Sequence, residues 1–453
     1  MFSVTPELIA MLRALDKIDY DPLPRAYLKR APKYALHILT DGITPQAMKM
    51  AHTPTFDALI KNGVSAANAR GVFPTITGPS HTSMLTGARV GTHEFLYPKM
   101  LDAFGNRLLD FSEGLMRAET IAEAWRPRGI TSACIGSRFL RGADMMLTEG
   151  VFGEDFLEIT EHALTAIREW QPHYLHVVYY VADSAGHLYG PEAEETLGAI
   201  QQMDEMTARI LNEYADRNMD GDLVVIVNAD HGMVPVNETV PHSLVENVGA
   251  FAHGRVALSP RGFDDAAFNV LMNDPRVDDI FARDELELLG AYGARWGEQV
   301  LQLREGWMFE SSKVMQGFHG AWSEADRHIP MILSGAGIRA GARIDVCELI
   351  DLAPTLSVLL GGAIPENNAG RILWEAFDVN GASRNAGIYI DLLSQRDNAL
   401  QELKQLKRER ASGAMYRSEY ETERNEILLN ARTNQFALER ERKKLERAWE
   451  SAL

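Results

Sequence analysis

Five short segments, far apart along the chain, carry residue types that bind divalent metal ions. They are Thr40-Asp41-Gly42, residues 73–81 (FPTITGPSH), residues 183–191 (DSAGHLYGP), residues 228–233 (NADHGM) and residues 317–320 (GFHG). Together they supply three carboxylates, several imidazoles and a hydroxyl group. Such a mixed set of nitrogen and oxygen donors suits zinc, or manganese where oxygen dominates. The sequence therefore predicts metal-dependent chemistry.

Each segment also has an ordinary structural explanation when it is taken alone. An aspartate after a strand commonly caps a helix or forms a turn, and Asp230-His231 fits a turn with a hydrogen-bonded histidine. Asp183 and His187 are four residues apart, but Gly186 between them favours a loop over one helix face. The functional interpretation therefore depends on all five segments occurring together.

Short apolar runs indicate that these segments lie at the ends of strands. The runs are residues 34–40, 130–136, 174–181, 223–228 and 329–335, and helical patterns lie between them. Apolar strands that alternate with helices indicate an α/β fold with a mostly parallel central sheet flanked by helices. Asp41, Asp183 and Asp230 follow three of the runs, at the strand ends where sites assemble in such sheets. His37 and His176 lie within strands, and we expect them in the core.

The alternation of strands and helices is interrupted once inside the chain. We predict that residues 1–232 and 317–384 form the core and that residues 233–316 form an α+β insertion that caps the strand ends. Residues 299–309 are expected to form a hairpin within this insertion. Its Arg255 could reach an anionic substrate, but a solvated position is the expected one.

The last part of the sequence, residues 385–453, has a different composition and reads as a helical extension. Apolar residues recur there at helical spacing, and Ser412-Gly413 is expected to break the pattern into two helices. The two helices would pack on the body of the protein or on a second subunit, which would make a homo-oligomer. Recruitment of another protein is the alternative.

Composition excludes several classes of protein. The chain of 453 residues has 46% hydrophobic residues, enough for a packed core, and its net charge of −18 disfavours binding to a nucleic acid polymer. Two cysteines, Cys134 and Cys347, cannot form a disulfide framework. The apolar stretches are too short for a membrane span or a signal peptide. These features together predict a cytoplasmic protein without a membrane partner.

The five segments, in their order and in their residues, resemble the motifs of the alkaline phosphatase superfamily, in particular of its nucleotide pyrophosphatase/phosphodiesterase-like branch. The resemblance covers residues 34–232 and 317–373 and is carried by D-x-x-G-H-x-x-G-P from Asp183 and D-H-G-M from Asp230. It implies an alkaline phosphatase-like fold and two divalent ions, zinc or manganese. The implied ligands are Asp183, His187 and His319 for one ion, and Asp41, Asp230 and His231 for the other.

The resemblance further implies that Thr77 is the nucleophile and that its oxygen contacts the second ion. A threonine hydroxyl is a poor nucleophile near neutral pH, and contact with a dication would lower its pKa. Pro79 follows closely, as expected at the start of a helix, where unpaired amides favour an anion. Thr75 is the competing hydroxyl, but the spacing of the family motif selects Thr77. His81 is expected to be a helix residue held by hydrogen bonds rather than a ligand.

One position departs from the pattern of the family. Relatives carry an asparagine that contacts a phosphoryl oxygen where this chain has Pro98, and a prolyl ring cannot donate a hydrogen bond. Lys99 could supply a cation in its place, which would suit a monoester or a phosphonate. A solvated lysine is the alternative.

These observations predict a two-metal phosphohydrolase that forms a phospho-threonine intermediate on a small anionic substrate: a phosphodiester, a phosphomonoester or a nucleotide. A phosphonoacetate-hydrolase-like enzyme that cleaves carbon–phosphorus bonds is one alternative. A degenerate member of the superfamily that acts as a scaffold through its C-terminal helices is the other.

Overall fold

The structure of the chain is a computed structural model. It describes residues 28–95, 100–101, 108–109, 116–147, 156–293, 297–312, 314–379 and 387–450. Pro98 and Lys99 lie outside the described residues, so the predicted role of Lys99 in substrate binding stays a prediction.

The strands are numbered in chain order. They are β1 (Tyr34–Thr40), β2 (Gly63–Ser65), β3 (Ala69–Arg70), β4 (Met100–Leu101), β5 (Leu108–Leu109), β6 (Ser132–Ile135), β7 (Met145–Leu147), β8 (Tyr174–Tyr179), β9 (Leu223–Asn228), β10 (Val234–Val240), β11 (Phe251–His253), β12 (Val256–Ser259), β13 (Val277–Ala282), β14 (Gln299–Leu303), β15 (Gly306–Phe309), β16 (Gly317–Phe318), β17 (His328–Ile329), β18 (Met331–Gly335) and β19 (Cys347–Glu348).

The α-helices are numbered in the same way, and short 3₁₀ or π segments are left unnumbered. They are α1 (Pro45–Met50), α2 (Pro54–Asn62), α3 (Thr77–Thr86), α4 (Val90–His93), α5 (Ile121–Trp125), α6 (Phe156–Thr165), α7 (Val181–Tyr189), α8 (Glu194–Asp216), α9 (Ser243–Glu246), α10 (Asp265–Met272), α11 (Arg283–Leu288), α12 (Glu324–Arg327), α13 (Leu352–Leu360), α14 (Gly387–Ser412) and α15 (Arg417–Glu450).

A seven-stranded sheet forms the centre of the molecule, in the order β2-β18-β9-β1-β8-β6-β7. The run β9-β1-β8-β6-β7 is parallel throughout. Every residue of β8 and β9 is buried because helices cover both faces of the sheet. The prediction of an α/β fold with a mostly parallel sheet is confirmed. His37 and His176 are fully buried within it, as expected.

Two details of strand pairing differ from the sequence-based expectation. β18 is antiparallel to β9 and to β2, so the last apolar run does not extend the parallel set. The predicted hairpin at residues 299–309 is also wrong. Its two strands exist, but β14 pairs with β12 and β13, whereas β15 pairs with β10 in another sheet. Apolar character identifies a buried strand without specifying its neighbour.

The segment at 233–316 forms an antiparallel sheet, β11-β12-β14-β13, and joins the rest of the chain through a second sheet, β15-β10-β16. β10 pairs antiparallel with β16, which directly precedes His319. Arg255 is fully buried and forms an ion pair with Asp326, so the expectation of a solvated arginine is wrong. The division of the chain into core, insertion and extension itself stays a prediction.

The C-terminal part forms two long helices, α14 and α15, and Gly413 between them adopts a φ of +77°. That angle suits glycine and explains the break. Leu403 and Leu428 belong to one apolar cluster with Phe73 and with Phe281 of β13, so the helices pack against the rest of the same chain. A homo-oligomer through these helices stays a prediction.

The described helices include none with the length and apolarity needed to cross a membrane. Cys134 and Cys347 are buried free thiols.

Candidate active site

Three neighbouring strands bring the predicted carboxylates to one edge of the central sheet. Asp41 directly follows β1, Asp230 comes two residues after β9, and Asp183 lies in the first turn of α7, beyond β8. Because β1 runs parallel between β8 and β9, the three carboxyl ends lie side by side. The structure therefore brings together three acidic groups that are far apart in sequence.

Gly42 allows the chain to pass closely between two of these carboxylates. It adopts a φ of +71°, and a Cβ at this position would lie 2.6 Å from Oδ1 of Asp183. Its amide donates a hydrogen bond to Oδ1 of Asp230 at 3.2 Å. A side chain here would displace Asp183, so the position requires glycine.

Asp183 and His187 lie on one face of α7, and the expectation of a loop at this position is wrong. Nε2 of His187 is 3.4 Å from Oδ2 of Asp183, the spacing expected of residues four apart on a helix. Gly186 has a packing role, because a Cβ there would lie 2.6 Å from the sulfur of Met233. The glycine thus allows close packing without breaking the helix.

Each of the three predicted histidine ligands is oriented by a backbone carbonyl. The Nδ1 bonds run from His187 to Gly317, from His231 to Gly232 and from His319 to Thr75, at 2.8, 2.9 and 2.7 Å. A carbonyl oxygen only accepts, so Nδ1 carries the proton in each ring and Nε2 keeps its lone pair. This is the tautomer and orientation of a metal-binding histidine.

The side chains converge into two groups that share one histidine. Among the described residues, Asp183, His231 and His319 bring their ligand atoms within 4.8 Å of one another, and so do Asp41, Asp230 and His231. The rings of His231 and His319 stack with centroids 3.7 Å apart. The groups match the implied ligand sets, except that His231 stands in the first group where His187 was expected.

Unpaired buried oxygens show that the residues present fit divalent cations. Oδ1 of Asp41, Oδ1 of Asp183 and Oδ2 of Asp230 are buried and have no hydrogen-bond partner among the described residues. A buried carboxylate oxygen without a donor is costly unless a cation faces it. Three such oxygens next to imidazole lone pairs form a donor set for zinc or manganese.

Burial also shifts the pKa values of these groups. Burial, followed by the charges of Asp230 and Asp183, raises the pKa of Asp41 well above its ordinary value. Burial raises the pKa of Asp230 to about 7. The pKa values of His231 and His319 are lowered, mainly by burial, so both rings are neutral at pH 7. The cluster therefore gains electrostatically from an added positive charge.

Thr77 is the first residue of α3 and lies against the second group. Its hydroxyl donates a hydrogen bond to Nε2 of His231 at 3.2 Å. All ten residues of α3 are buried, and the contact of Thr77 with His231 places the N-terminus of this helix beside the cluster. Unpaired amides and the helix dipole there favour an anion next to the hydroxyl.

Two further residues contribute more than the sequence indicated. Nε2 of His81 lies 3.3 Å from Asp41 and 3.5 Å from Asp230, so this ring bridges two carboxylates while its face stacks on Tyr180. The hydroxyl of Thr75 donates a hydrogen bond to the carbonyl of Ala321 at 2.9 Å. The sequence does not predict the contacts of His81 or of Thr75, because each contact joins elements that are remote in sequence.

Comparison with known proteins assigns the family. A family model described as type I phosphodiesterase / nucleotide pyrophosphatase matches residues 35–322. The match covers more than half of the 453 residues. The chain belongs to this family. The sequence-based recognition of the nucleotide pyrophosphatase/phosphodiesterase branch is therefore confirmed.

Curated relatives within the type I phosphodiesterase / nucleotide pyrophosphatase family are distant in sequence. Human ectonucleotide pyrophosphatase/phosphodiesterase family member 1 is 28% identical over 198 residues, which is 40% of this chain and 21% of that protein. The chain therefore matches about a fifth of the length of that relative. Bis(5'-adenosyl)-triphosphatase enpp4 of Xenopus laevis is 21% identical over 72% of this chain and 78% of that protein.

Solved structures of family members share the fold. Murine ectonucleotide pyrophosphatase/phosphodiesterase 5, as an inactive threonine-to-alanine variant in complex with AMP, gives a TM-score of 0.63 at 19% identity. The human protein of the same name gives a TM-score of 0.64 at 19% identity. Each alignment covers 77% of this chain and 97% of the other. At this identity the likeness supports the fold and leaves the substrate open.

Proposed function

We propose that this chain is a metal-dependent phosphoric ester hydrolase that uses Thr77 as its nucleophile. One observation carries the proposal: the Thr77 hydroxyl lies 3.2 Å from His231, beside two overlapping groups of metal-ligating side chains. Membership of a phosphodiesterase family supports the same chemistry.

The residues that would hold two divalent ions are Asp183, His187 and His319 for one and Asp41, Asp230 and His231 for the other. When bound, such ions lower the pKa of a hydroxyl and stabilise charge on the attacking and leaving oxygens. Zinc is the metal we propose, with manganese as the alternative, because the donors mix imidazole and carboxylate.

The protein's own groups then divide the reaction into two displacements. The oxygen of Thr77 attacks phosphorus, and its bond to phosphorus forms as the bond to the leaving oxygen breaks. The hydroxyl proton of Thr77 is lost and a proton is taken up by the leaving oxygen, so that a phospho-threonine and the protonated leaving group result. The amides at the start of α3 face the phosphoryl oxygens and stabilise their charge. Water then attacks phosphorus, releases phosphate or a monoester, and the hydroxyl of Thr77 regains its proton.

The proposed substrate is a small phosphodiester, phosphomonoester or nucleotide. A nucleotide is supported by the names of relatives, one a bis(5'-adenosyl)-triphosphatase and another a structure in complex with AMP. A phosphonate substrate would place the chain with the alternative, phosphonoacetate-hydrolase-like activity. We also propose a cytoplasmic location, which rests on composition alone.

The test is hydrolysis of four compounds by protein loaded with zinc or manganese: p-nitrophenyl phosphate, bis-p-nitrophenyl phosphate, p-nitrophenyl phenylphosphonate and phosphonoacetate. We expect the Thr77→Ala variant to lose turnover by roughly 10⁴-fold or more while it still binds metal. The matched control is Thr82→Ala in the same helix, whose buried hydroxyl has no hydrogen-bond partner among the described residues.

Turnover by Thr77→Ala within a few-fold of the wild-type rate would exclude this nucleophile. Wild-type protein that binds only trace metal and hydrolyses none of the four compounds would instead favour the scaffold interpretation.

A further inference from the structure

Two segments that carry different parts of the site lie side by side and are joined by one buried threonine. The nucleophile loop (residues 73–77) ends at Thr77, and the His319 segment (residues 319–322) begins with the predicted metal ligand. Thr75 donates a hydrogen bond from its hydroxyl to the carbonyl of Ala321 at 2.9 Å. The same oxygen accepts from the amide of Gly320 at 3.0 Å.

A third hydrogen bond connects the backbone of Thr75 to the predicted ligand His319. Nδ1 of His319 donates to the carbonyl of Thr75 at 2.7 Å, which points Nε2 at the cluster. Nε2 of His319 lies 3.7 Å from Oδ1 of Asp183. The orientation of this imidazole therefore depends on where the backbone of Thr75 lies.

The His319 segment is itself fixed from the opposite side. The amide of Trp322 donates to the side chain of Gln302 in β14 at 2.8 Å. Its ring packs edge-on against Phe73 at 6.2 Å and beneath the guanidinium of Arg327 at 4.5 Å. The His319 segment is thus held by contacts on its far side, and Thr75 makes the polar connection from this segment to the nucleophile loop.

The hydroxyl of Thr75 is engaged on both sides and is fully buried, so it does not face substrate. A β-branched residue that merely lined a strand end would gain nothing from the oxygen. Replacing it would leave a buried amide and a buried carbonyl without partners.

We propose that Thr75 is a positioning residue whose hydroxyl sets the register between the nucleophile loop and the His319 segment, and thereby the placement of Thr77 relative to the metal ligands. The inference rests on the proposed function for its catalytic consequence, but the register itself is independent of turnover.

The test compares Thr75→Val, which keeps the shape and removes the hydroxyl, with Thr75→Ser, which keeps the hydroxyl. For Thr75→Val we expect exchange of the Gly320 amide with solvent to rise about ten-fold. We also expect zinc affinity, measured by titration calorimetry, to fall about 10- to 100-fold. Thr75→Ser should retain wild-type values. The matched control is Thr207→Val on α8, where the buried hydroxyl bonds, within the described part of the chain, only to the carbonyl of Met203.

Unchanged amide exchange in Thr75→Val would overturn the inference, and so would a Thr75→Ser variant as impaired as the valine variant. Equal effects in Thr75→Val and Thr207→Val would also overturn it, because they would show general destabilisation. If wild-type protein neither binds zinc nor hydrolyses any substrate, the proposed function fails, and the exchange measurement alone still decides the role of Thr75.

Discussion

At the scale of single residues, histidines in this protein do two different things according to their partners. The three predicted ligands each donate from Nδ1 to a backbone carbonyl, which leaves the lone pair of Nε2 for the proposed ion. His37 lies inside the sheet, and both of its ring nitrogens form hydrogen bonds with neighbouring side chains. Nε2 donates to Oδ1 of Asn228 at 2.5 Å, and Nδ1 accepts from the hydroxyl of Tyr174 at 2.7 Å. Its role is structural, and it has a measurable consequence.

Burial lowers the pKa of His37 from 6.5 to about 4. Between these values the unfolded chain binds a proton that the folded protein excludes, so stability falls as the pH drops from 6.5 to 4. The shift corresponds to about 3 kcal/mol of unfolding free energy.

We therefore expect the His37→Gln variant, whose amide can replace both hydrogen bonds, to lose about 3 kcal/mol less than wild type over this range. Urea unfolding at several pH values in the presence of a chelator measures the difference. Parallel pH profiles for the two proteins would contradict the prediction.

At the scale of elements, α7 shows how a helix can present two predicted ligands and still pack closely. Asp183 and His187 share one face, and Gly186 lies between them on a side that contacts Met233. Met233 in turn lies against Gly317, next to the strand that leads to His319. Close packing of this helix against Met233 therefore positions Asp183 and His187 relative to His319.

Two glycines in adjacent helices give a matched comparison. A Cβ at Gly186 would lie 2.6 Å from the sulfur of Met233, whereas a Cβ at Gly198 in α8 would meet nothing within 4 Å. Gly186→Ala should lower stability by about 1–3 kcal/mol and weaken metal binding, because either α7 or the buried side chain of Met233 must move. Gly198→Ala should raise stability by roughly 0.5–1 kcal/mol. Thermal unfolding measures both, and a shift of the same sign in the two variants would refute the packing argument.

At the scale of the whole molecule, the C-terminal helices lie outside the family match, which ends at residue 322. They nevertheless contact parts of the chain that lie within it. Lys407 of α14 lies 2.7 Å from Asp279 and 2.6 Å from Glu285, both in the 233–316 segment. Asp397, on the same helix, pairs with Arg70 and with Arg327. The helix thus contacts both the segment at 233–316 and the elements around the central sheet.

The ion pairs of α14 differ in burial, which allows a controlled test. Burial alone would lower the pKa of Lys407, but Asp279 and Glu285 outweigh it and raise that pKa, so the lysine is charged at neutral pH. Lys407→Met would leave two carboxylates buried without a cation, and we expect a loss of about 3–5 kcal/mol. Lys404→Met removes a pair with Asp278 in which both side chains are partly exposed, and it should cost less than about 1 kcal/mol.

Denaturant unfolding of the two variants measures these losses. Similar losses in both would show that burial does not govern this contact and would count against the prediction.

The sequence by itself determined the family, the α/β architecture and the identity of the candidate site residues. The reason is local: apolar runs specify buried strands, and Asp41, Asp183 and Asp230 follow closely after three of them, whereas Thr77 is identified by the motif that begins a helix. Ser412-Gly413 likewise predicted the helix break, and Gly413 adopts a φ of +77°, which a helix interior does not allow.

Only the tertiary structure decided how these residues meet. The antiparallel direction of β18, the separation of β14 from β15 and the helical setting of Gly186 depend on neighbours that are remote in sequence. The bridge from His81 to two carboxylates and the joint at Thr75 are contacts between separate elements as well. The sequence shows which side chains are present and how they are spaced. Hydrogen bonds and packing between remote elements decide which groups each side chain contacts.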